Sequence, residues 1–287
     1  MTRSRFAALL AALALLAACV PEKPAPGPAG RINRVVSLSP SISRQIVDLG
    51  AKRLLVGVTS YDDIRGGGID VVGTLVQPNF ERIIMLKPDV VFHSAEDGLV
   101  QNIDRISGAG VASYRFGRNR NFDDICDNYL ELASLLGLGR EGRRKIAGYR
   151  DRLGRVRQTA GAAERPIVVF LVACRPLIVA SAHSFIGRII HDAGGRPAYD
   201  DGGRAHPPVS IESVIETDPD VIIAMTGGDD TREFFSMLSR DFRRLKAVAG
   251  GRLYDIPPDT IPYYTPADYL ASVERISGIL EERATAR

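Results

Sequence analysis

Four histidines, His93, His183, His191 and His206, are the side chains of this chain best suited to metal ligation or general-base work. Each lies on a separate segment, and no H-E-x-x-H pair sets two of them one helical turn apart, so a protein-only metal site is not supported. A nucleophilic serine would need a G-x-S-x-G elbow and a phosphate cradle a G-x-x-x-x-G-K-[ST] loop; the chain has neither, and Gly66-Gly67-Gly68 lacks the strand-to-helix context of a cradle. The carboxylates form no local pair of the kind that acid/base catalysis uses. Guanidinium forks remain: Arg118, Arg120 and Arg175 could gather carboxylates, catecholates or propionates. This chemistry is that of binding and not of turnover. The alternative from another class is a secreted hydrolase that assembles His and Asp residues in space.

Two acids stand out by position. Asn79–Ser94 reads NFERIIMLKPDVVFHS and Ser210–Met225 reads SIESVIETDPDVIIAM. Each copy opens on a helix-capping residue and places a glutamate, Glu81 or Glu212, in the first helical turn. Each then stops its helix at Pro88 or Pro219 and enters an aliphatic run. An acid in a first turn is favoured by the helix dipole, by about 0.3–1 kcal/mol, so either alone would be ordinary. Recurrence at the equivalent place in two units suggests a matched pair of faces.

The elements that must carry these residues follow from periodicity. Aliphatic runs at 35–38, 54–59, 89–94 and 111–116 read as strands, with helical patterns at 41–49, 80–87, 99–107 and 122–136 between them. The pattern restarts beyond residue 165, with strands at 166–173, 177–181, 220–226 and 252–256, and with His183 and His191 inside a helical pattern at 183–193. Alternation of this kind predicts an α/β chain of two Rossmann-like lobes with mostly parallel sheets. Residues 139–161 place Ile146, Tyr149, Leu153, Val156 and Ala160 on one face, the pattern of a single long helix joining the lobes. Its eight basic residues against two acids read as a solvated face, since no aromatics interleave for base stacking. The expected organisation is a leader at 1–18, a tether at 19–30, a lobe at 31–138, the helix at 139–161 and a second lobe at 162–287.

Composition agrees with a globular chain: of 287 residues, 45% are hydrophobic and 25% charged. The net charge is +3, of which Arg3 and Arg5 supply two, so no nucleic-acid partner is expected. Those two arginines, the apolar stretch Phe6 to Ala17 and the small residues before Cys19 form an export signal. LAAC ending at Cys19 resembles the bacterial lipobox, which implies a lipidated cysteine, a protein held on the outer side of a membrane and no spanning segment. Prolines at 21, 24, 26 and 28 suit an extended leash. Cys126 and Cys174 give no disulfide framework and read as two separate thiols.

RVVSLSPSISRQIVDLG, VGVTSYDD, VGTLVQPNFERIIMLKPDVVFHS and PPVSIESVIETDPDVII, in this order across the mature chain, resemble the class III periplasmic binding proteins. These receptors deliver ferric siderophores, haem or cobalamin to ABC importers. The resemblance implies a monomer that is not an enzyme, has no resident cofactor and docks on a permease dimer with its ATPase. In it Glu81 and Glu212 meet arginines of the two permease subunits. Ligand contacts are expected at Ser39, Tyr61, His93, Arg118, Arg120, Arg175, His206, Tyr263 and Tyr264, beyond the carboxyl ends of the strands. Three departures matter: the chain has no tryptophan, Arg44 stands where relatives often carry glutamate, and TPADYL lacks an arginine common after that proline. They weaken the cobalamin reading and put an anionic iron chelate slightly ahead, with a cobalamin or haem receptor of the same fold as the alternative.

Overall fold

The computed structural model describes residues 30–64, 66–96, 103–160, 165–200, 202–225, 228–261 and 263–282. The leader, Cys19 and the tether to residue 29 lie outside them. Strands β1 (Val35–Ser37), β2 (Leu55–Val58), β3 (Asp70–Val71), β4 (Val90–Ser94) and β5 (Ala112–Phe116) form one parallel sheet in the order β3-β2-β1-β4-β5. Helices α1 (Pro40–Asp48), α2 (Phe80–Met85), α3 (Asp104–Gly108) and α4 (Phe122–Leu135) belong to this half. β4 is buried along its whole length, as its uninterrupted apolar run requires of a strand covered on both faces.

The second sheet runs β10-β9-β6-β7, from β6 (Ile167–Cys174), β7 (Leu177–Val179), β9 (Val221–Ala224) and β10 (Leu253–Asp255). β7 turns back antiparallel on the end of β6, and the short β8 (Arg196–Pro197) pairs parallel with the start of β6. Helices α6 (Phe185–Asp192), α7 (Ile211–Thr217), α8 (Asp229–Asp241), α9 (Lys246–Ala249) and α10 (Pro266–Glu281) complete this half. The fold is therefore the expected pair of α/β lobes.

α5 (Gly139–Ala160) joins them as one helix of 22 residues, which spans about 33 Å. Its basic residues are not simply solvated. Six of the eight pair with acids: Arg144 with Glu141, Lys145 with Asp48, Arg150 with Asp123, Arg152 with Glu274, Arg155 with Asp151 and Arg157 with Asp192. Four of those acids lie on α1, α4, α6 and α10, so the charge stitches the helix to its neighbours. Gly142 is required, because a Cβ there would stand 2.6 Å from that of Ala133 on α4. Gly148 and Gly154 face open space. Gly148→Ala and Gly154→Ala should each stabilise the protein by about 1 kcal/mol through helix propensity, and Gly142→Ala should destabilise it. Urea unfolding checks this; a loss at 148 or 154 would contradict a continuous helix in solution.

The repeated segments share a backbone design. Asn79 and Ser210 accept N-cap hydrogen bonds from Arg82 N (2.9 Å) and Ser213 N (3.2 Å). Lys87 and Asp218, just before the prolines, adopt left-handed conformations with φ of 47° and 43°. The aspartates of the two PDV motifs then clamp the neighbouring strands. Asp89 accepts from Asn33 N and Arg34 N at 2.7 and 2.8 Å, and Asp220 from Ile167 N at 2.7 Å.

Cys126 and Cys174, the two cysteines among the described residues, are buried and not joined in a disulfide. Among the described residues no helix is long and apolar enough to cross a membrane.

Candidate functional site

Parallel β1, β2, β4 and β5 end at one edge of their sheet; Ser94 is the last residue of β4, and the segments that follow β1, β2 and β5 carry Ser39, Tyr61 and Arg118–Arg120. In the second sheet the same edge carries Arg175 after β6, and Tyr263 and Tyr264 after β10. His206 belongs to a segment that runs beside β7 through Val179 N to Pro207 O (3.1 Å) and Ser181 N to Ala205 O (3.0 Å).

The two edges meet. Arg44 on α1 donates to both oxygens of Asp268 on α10 at 3.1 Å and to Asp63 at 2.6 Å, and its guanidinium lies 4.6 Å from the ring centre of Tyr263. Gln45 Nε2 donates to Tyr264 O (2.9 Å), and Tyr264 N donates to Ser41 Oγ (3.2 Å). Behind this line the rings of Phe122, Tyr269, Phe185 and Tyr264 form a chain with neighbouring centroids 4.6–5.4 Å apart. Burial works against the charge of Arg44, but the hydrogen bond and charge of Asp268 outweigh it and hold the guanidinium above its ordinary pKa. The Arg44–Asp268 pair is the feature that the sequence reading missed. The signal was present as two departures that are mutual: a base where an acid is usual, and an acid just after Pro266.

Tyr61 and Asp62 divide the work of one turn. Asp62 Oδ2 accepts from Thr59 N (2.9 Å) and Thr59 Oγ1 (2.6 Å), which turns the carboxyl inward, 1% exposed. Tyr61 is left pointing outward at 60% exposure. Burial pushes the Asp62 carboxyl up, with the hydroxyls of Ser43 and Thr59 pulling it back. Asp62 Oδ1 and Ser39 Oγ are both buried without a hydrogen-bond partner.

The other candidates are placed as follows. Ser39 and His93 are buried, so as they stand neither presents its side chain at the surface of the cleft. Burial, with Arg115 beside it, lowers the His93 imidazole to about 4, and it is neutral at pH 7. Arg118 and Arg120 are exposed, Arg120 pairing with Asp124 at 2.9 Å. Arg175 is drawn to Glu233 at 2.6 Å and Asp230 at 3.7 Å. His206 is exposed at the residue level, yet partial burial of its ring lowers its pKa. Tyr263 and Tyr264 are half-buried, and Tyr264 packs on Phe185. His183 meets Asp200 at 2.6 Å, and among the described residues no cluster of metal-ligating side chains occurs.

Glu81 and Glu212 are both exposed, each in the first turn of a helix that runs back from the cleft edge to feed β4 or β9. Its own backbone N–H and the Ser210 hydroxyl hold the Glu212 carboxyl below its ordinary pKa.

The periplasmic binding protein family matches residues 35–260, which cover the two sheets, the joining helix and both glutamates. The chain belongs to this family. Among family members, a vitamin B12-binding protein of Vibrio parahaemolyticus is 22% identical over 85% of this chain and 88% of its own length. YhfQ of Bacillus subtilis, named as a candidate ABC transporter substrate-binding lipoprotein, is 24% identical over 66% of this chain, and the match spans 62% of YhfQ. A solved structure from Staphylococcus epidermidis, described as a possible iron-binding periplasmic solute-binding protein, superposes with a TM-score of 0.77 at 18% identity, covering 88% of this chain and all of that one. These periplasmic binding proteins are of the class III type, and the chain is a substrate-binding protein of an ABC transporter, not an enzyme.

Proposed function

We propose that this chain is a lipoprotein, held at the outer face of a membrane through Cys19, that captures a metal chelate between its lobes and delivers it to a permease dimer with its ATPase. The ligand class favoured is an anionic ferric siderophore. The observation that carries this reading is the rim where the sheets meet: an outward Tyr61 on one lobe, Tyr263 and Tyr264 on the other, and Arg118 and Arg120 exposed on the segment that follows β5 at the same sheet edge. Phenol rings cover the flat faces of a chelate and guanidinium forks pair with its anionic edges. The Arg120–Asp124 and Arg175–Glu233 pairs do not oppose it. Exposed ion pairs are worth only about 0–1 kcal/mol, so either arginine can exchange its acid for a ligand.

Haem is the second reading, because Tyr61 is exposed and His206 carries an imidazole that burial keeps neutral, ready to offer a lone pair to iron. Docking is assigned to Glu81 and Glu212. Calorimetric titration of the full-length protein with haem, cyanocobalamin and a panel of ferric siderophores tests the ligand class. The expected result is saturable submicromolar binding of one siderophore class, weakened about tenfold or more by Tyr61→Ala. Binding of haem alone would move the assignment to the second reading, and release of a chemically altered ligand would overturn both.

A further inference from the structure

Four large apolar side chains are exposed among the described residues: Tyr61 at 60%, Val76 at 67%, Ile84 at 37% and Met85 at 79%. Tyr61 belongs to the cleft. The other three lie on α2, which carries Glu81, or in the turn that leads into it. Ile84 and Met85 follow Glu81 by three and four positions on α2, which puts all three on one helix face. Val76 sits in the turn that leads into α2, a turn fixed by Thr74 N to Gln77 O (3.2 Å) and Gln77 N to Thr74 Oγ1 (3.0 Å). Glu81 and Met85 share the wall of one shallow surface depression.

The second copy of the segment serves as an internal control. Its caps, its left-handed residue before proline and its clamping aspartate repeat those of the first copy, so the backbones are alike. The side chains differ. Ile84 corresponds to Ile215, which is half-buried in a depression lined by Phe242 and Leu245 together with Arg240, Asp241, Arg243 and Arg244, and Met85 corresponds to the exposed Glu216. Val76 corresponds to Pro207, which is buried. Three and four positions after its acid, one lobe thus exposes two apolar side chains, where the other has a half-buried isoleucine and a second acid.

We infer that the N-terminal lobe docks on its permease subunit through an apolar anchor, Ile84 and Met85 with Val76, around Glu81, while the C-terminal lobe docks through charge alone, Glu212 with Glu216. This rests on the docking reading above and specifies its partner: an extracytoplasmic surface that offers an apolar pocket beside a basic group. Contiguous exposed apolar surface on a soluble chain marks an interaction site, and methionine adapts its shape to a partner at little strain. Continuity with Glu81 on the same helix face selects the permease as the occupant. The two grips differ in salt response, since screening weakens exposed charge pairs and leaves apolar burial intact.

The test measures binding of the full-length protein to its permease–ATPase complex in nanodiscs, at about 50 mM and about 500 mM salt. Ile84→Ser with Met85→Ser should weaken binding about tenfold at both salt concentrations. Glu216→Ala should weaken it at low salt only. Met85 and Glu216 are exposed, so Met85→Ser alone and Glu216→Ala should melt with the parent, and Met85→Ser alone carries the test if Ile84→Ser, at a side chain only 37% exposed, lowers the melt. If the apolar variant binds like the parent while Glu81→Ala and Glu212→Ala weaken binding, the anchor is refuted and the docking reading stands. If none of the four changes matters, both fall. An apolar variant whose loss disappears at high salt would likewise refute the anchor.

Discussion

Replacing Asp192 with alanine is expected to cost about 3 kcal/mol of stability, which for a protein of this size lowers the melting temperature by about 6–12 °C. Asp192 ends α6 and is 6% exposed. It accepts from Arg157 of α5 at 3.0 and 2.8 Å and from the Tyr269 hydroxyl of α10 at 2.7 Å. One carboxylate therefore joins the long helix to two helices of the second lobe. Without it the Tyr269 hydroxyl, on a side chain only 1% exposed, is left buried and unpaired, and that penalty dominates. Arg157 is half-exposed and can turn to water, so its share is smaller. Asp192→Asn keeps an acceptor and should lose less than the alanine variant. Chemical denaturation of both variants checks the ranking; a cost under about 0.5 kcal/mol for Asp192→Ala would remove this joint from the account.

The joint also explains which parts of the fold were legible. Buried strands of four or more aliphatic residues announced themselves, and β4 and β6 fall within a residue of their expected ends. β3 and β8 have two residues each, too few for any period to register. The direction of β7 was equally hidden, because LIV reads the same in a hairpin as in a parallel sheet. The long helix was visible as an apolar stripe with an exposed basic face, but the acids that pair with that face were not visible. Partners such as Asp48, Asp192 and Glu274 lie far away in sequence, and only folding brings them near.

The site was legible as a set of loops and not as a set of side chains. The rule that ligands lie beyond the carboxyl ends of strands picks out one edge of each sheet, and contacts such as Arg44–Asp268 and Gln45–Tyr264 bring those two edges together. It could not say that Tyr61 points out while Asp62 points in, since one hydrogen-bonded turn decides both. Nor could it say that burial withdraws Ser39 and His93 from the surface. Arg44 was noticed as a departure, yet its meaning needed Asp268, more than two hundred residues further on.

Glu81→Ala combined with Glu212→Ala is expected to reduce uptake of the cognate chelate about a hundredfold while leaving its affinity for the protein unchanged within about twofold. Both side chains are exposed, and neither forms an ion pair among the described residues. Their removal costs the fold only the helix-dipole contribution, about 0.3–1 kcal/mol each. At an interface the same acids would face basic groups with water excluded. Close charge pairs there couple by about 1.5 kcal/mol or more, so the loss of two multiplies. Each single variant should be intermediate. Uptake of iron-labelled chelate by cells carrying each variant, together with titration of the purified proteins, separates docking from binding; full uptake by the double variant would end the docking claim.

The central claim is that a chelate gripped between the lobes is passed intact to a membrane partner. Transfer from the loaded protein measures this directly. Full-length protein saturated with a labelled ferric siderophore is presented to its permease–ATPase complex in proteoliposomes, with and without ATP inside at the ATPase face. The account predicts label accumulating in the lumen, only with ATP and only when the loaded protein is supplied, and recovered there as the unchanged chelate. Label that stays with the protein whatever the nucleotide, or emerges as a cleaved product outside the vesicles, would contradict it.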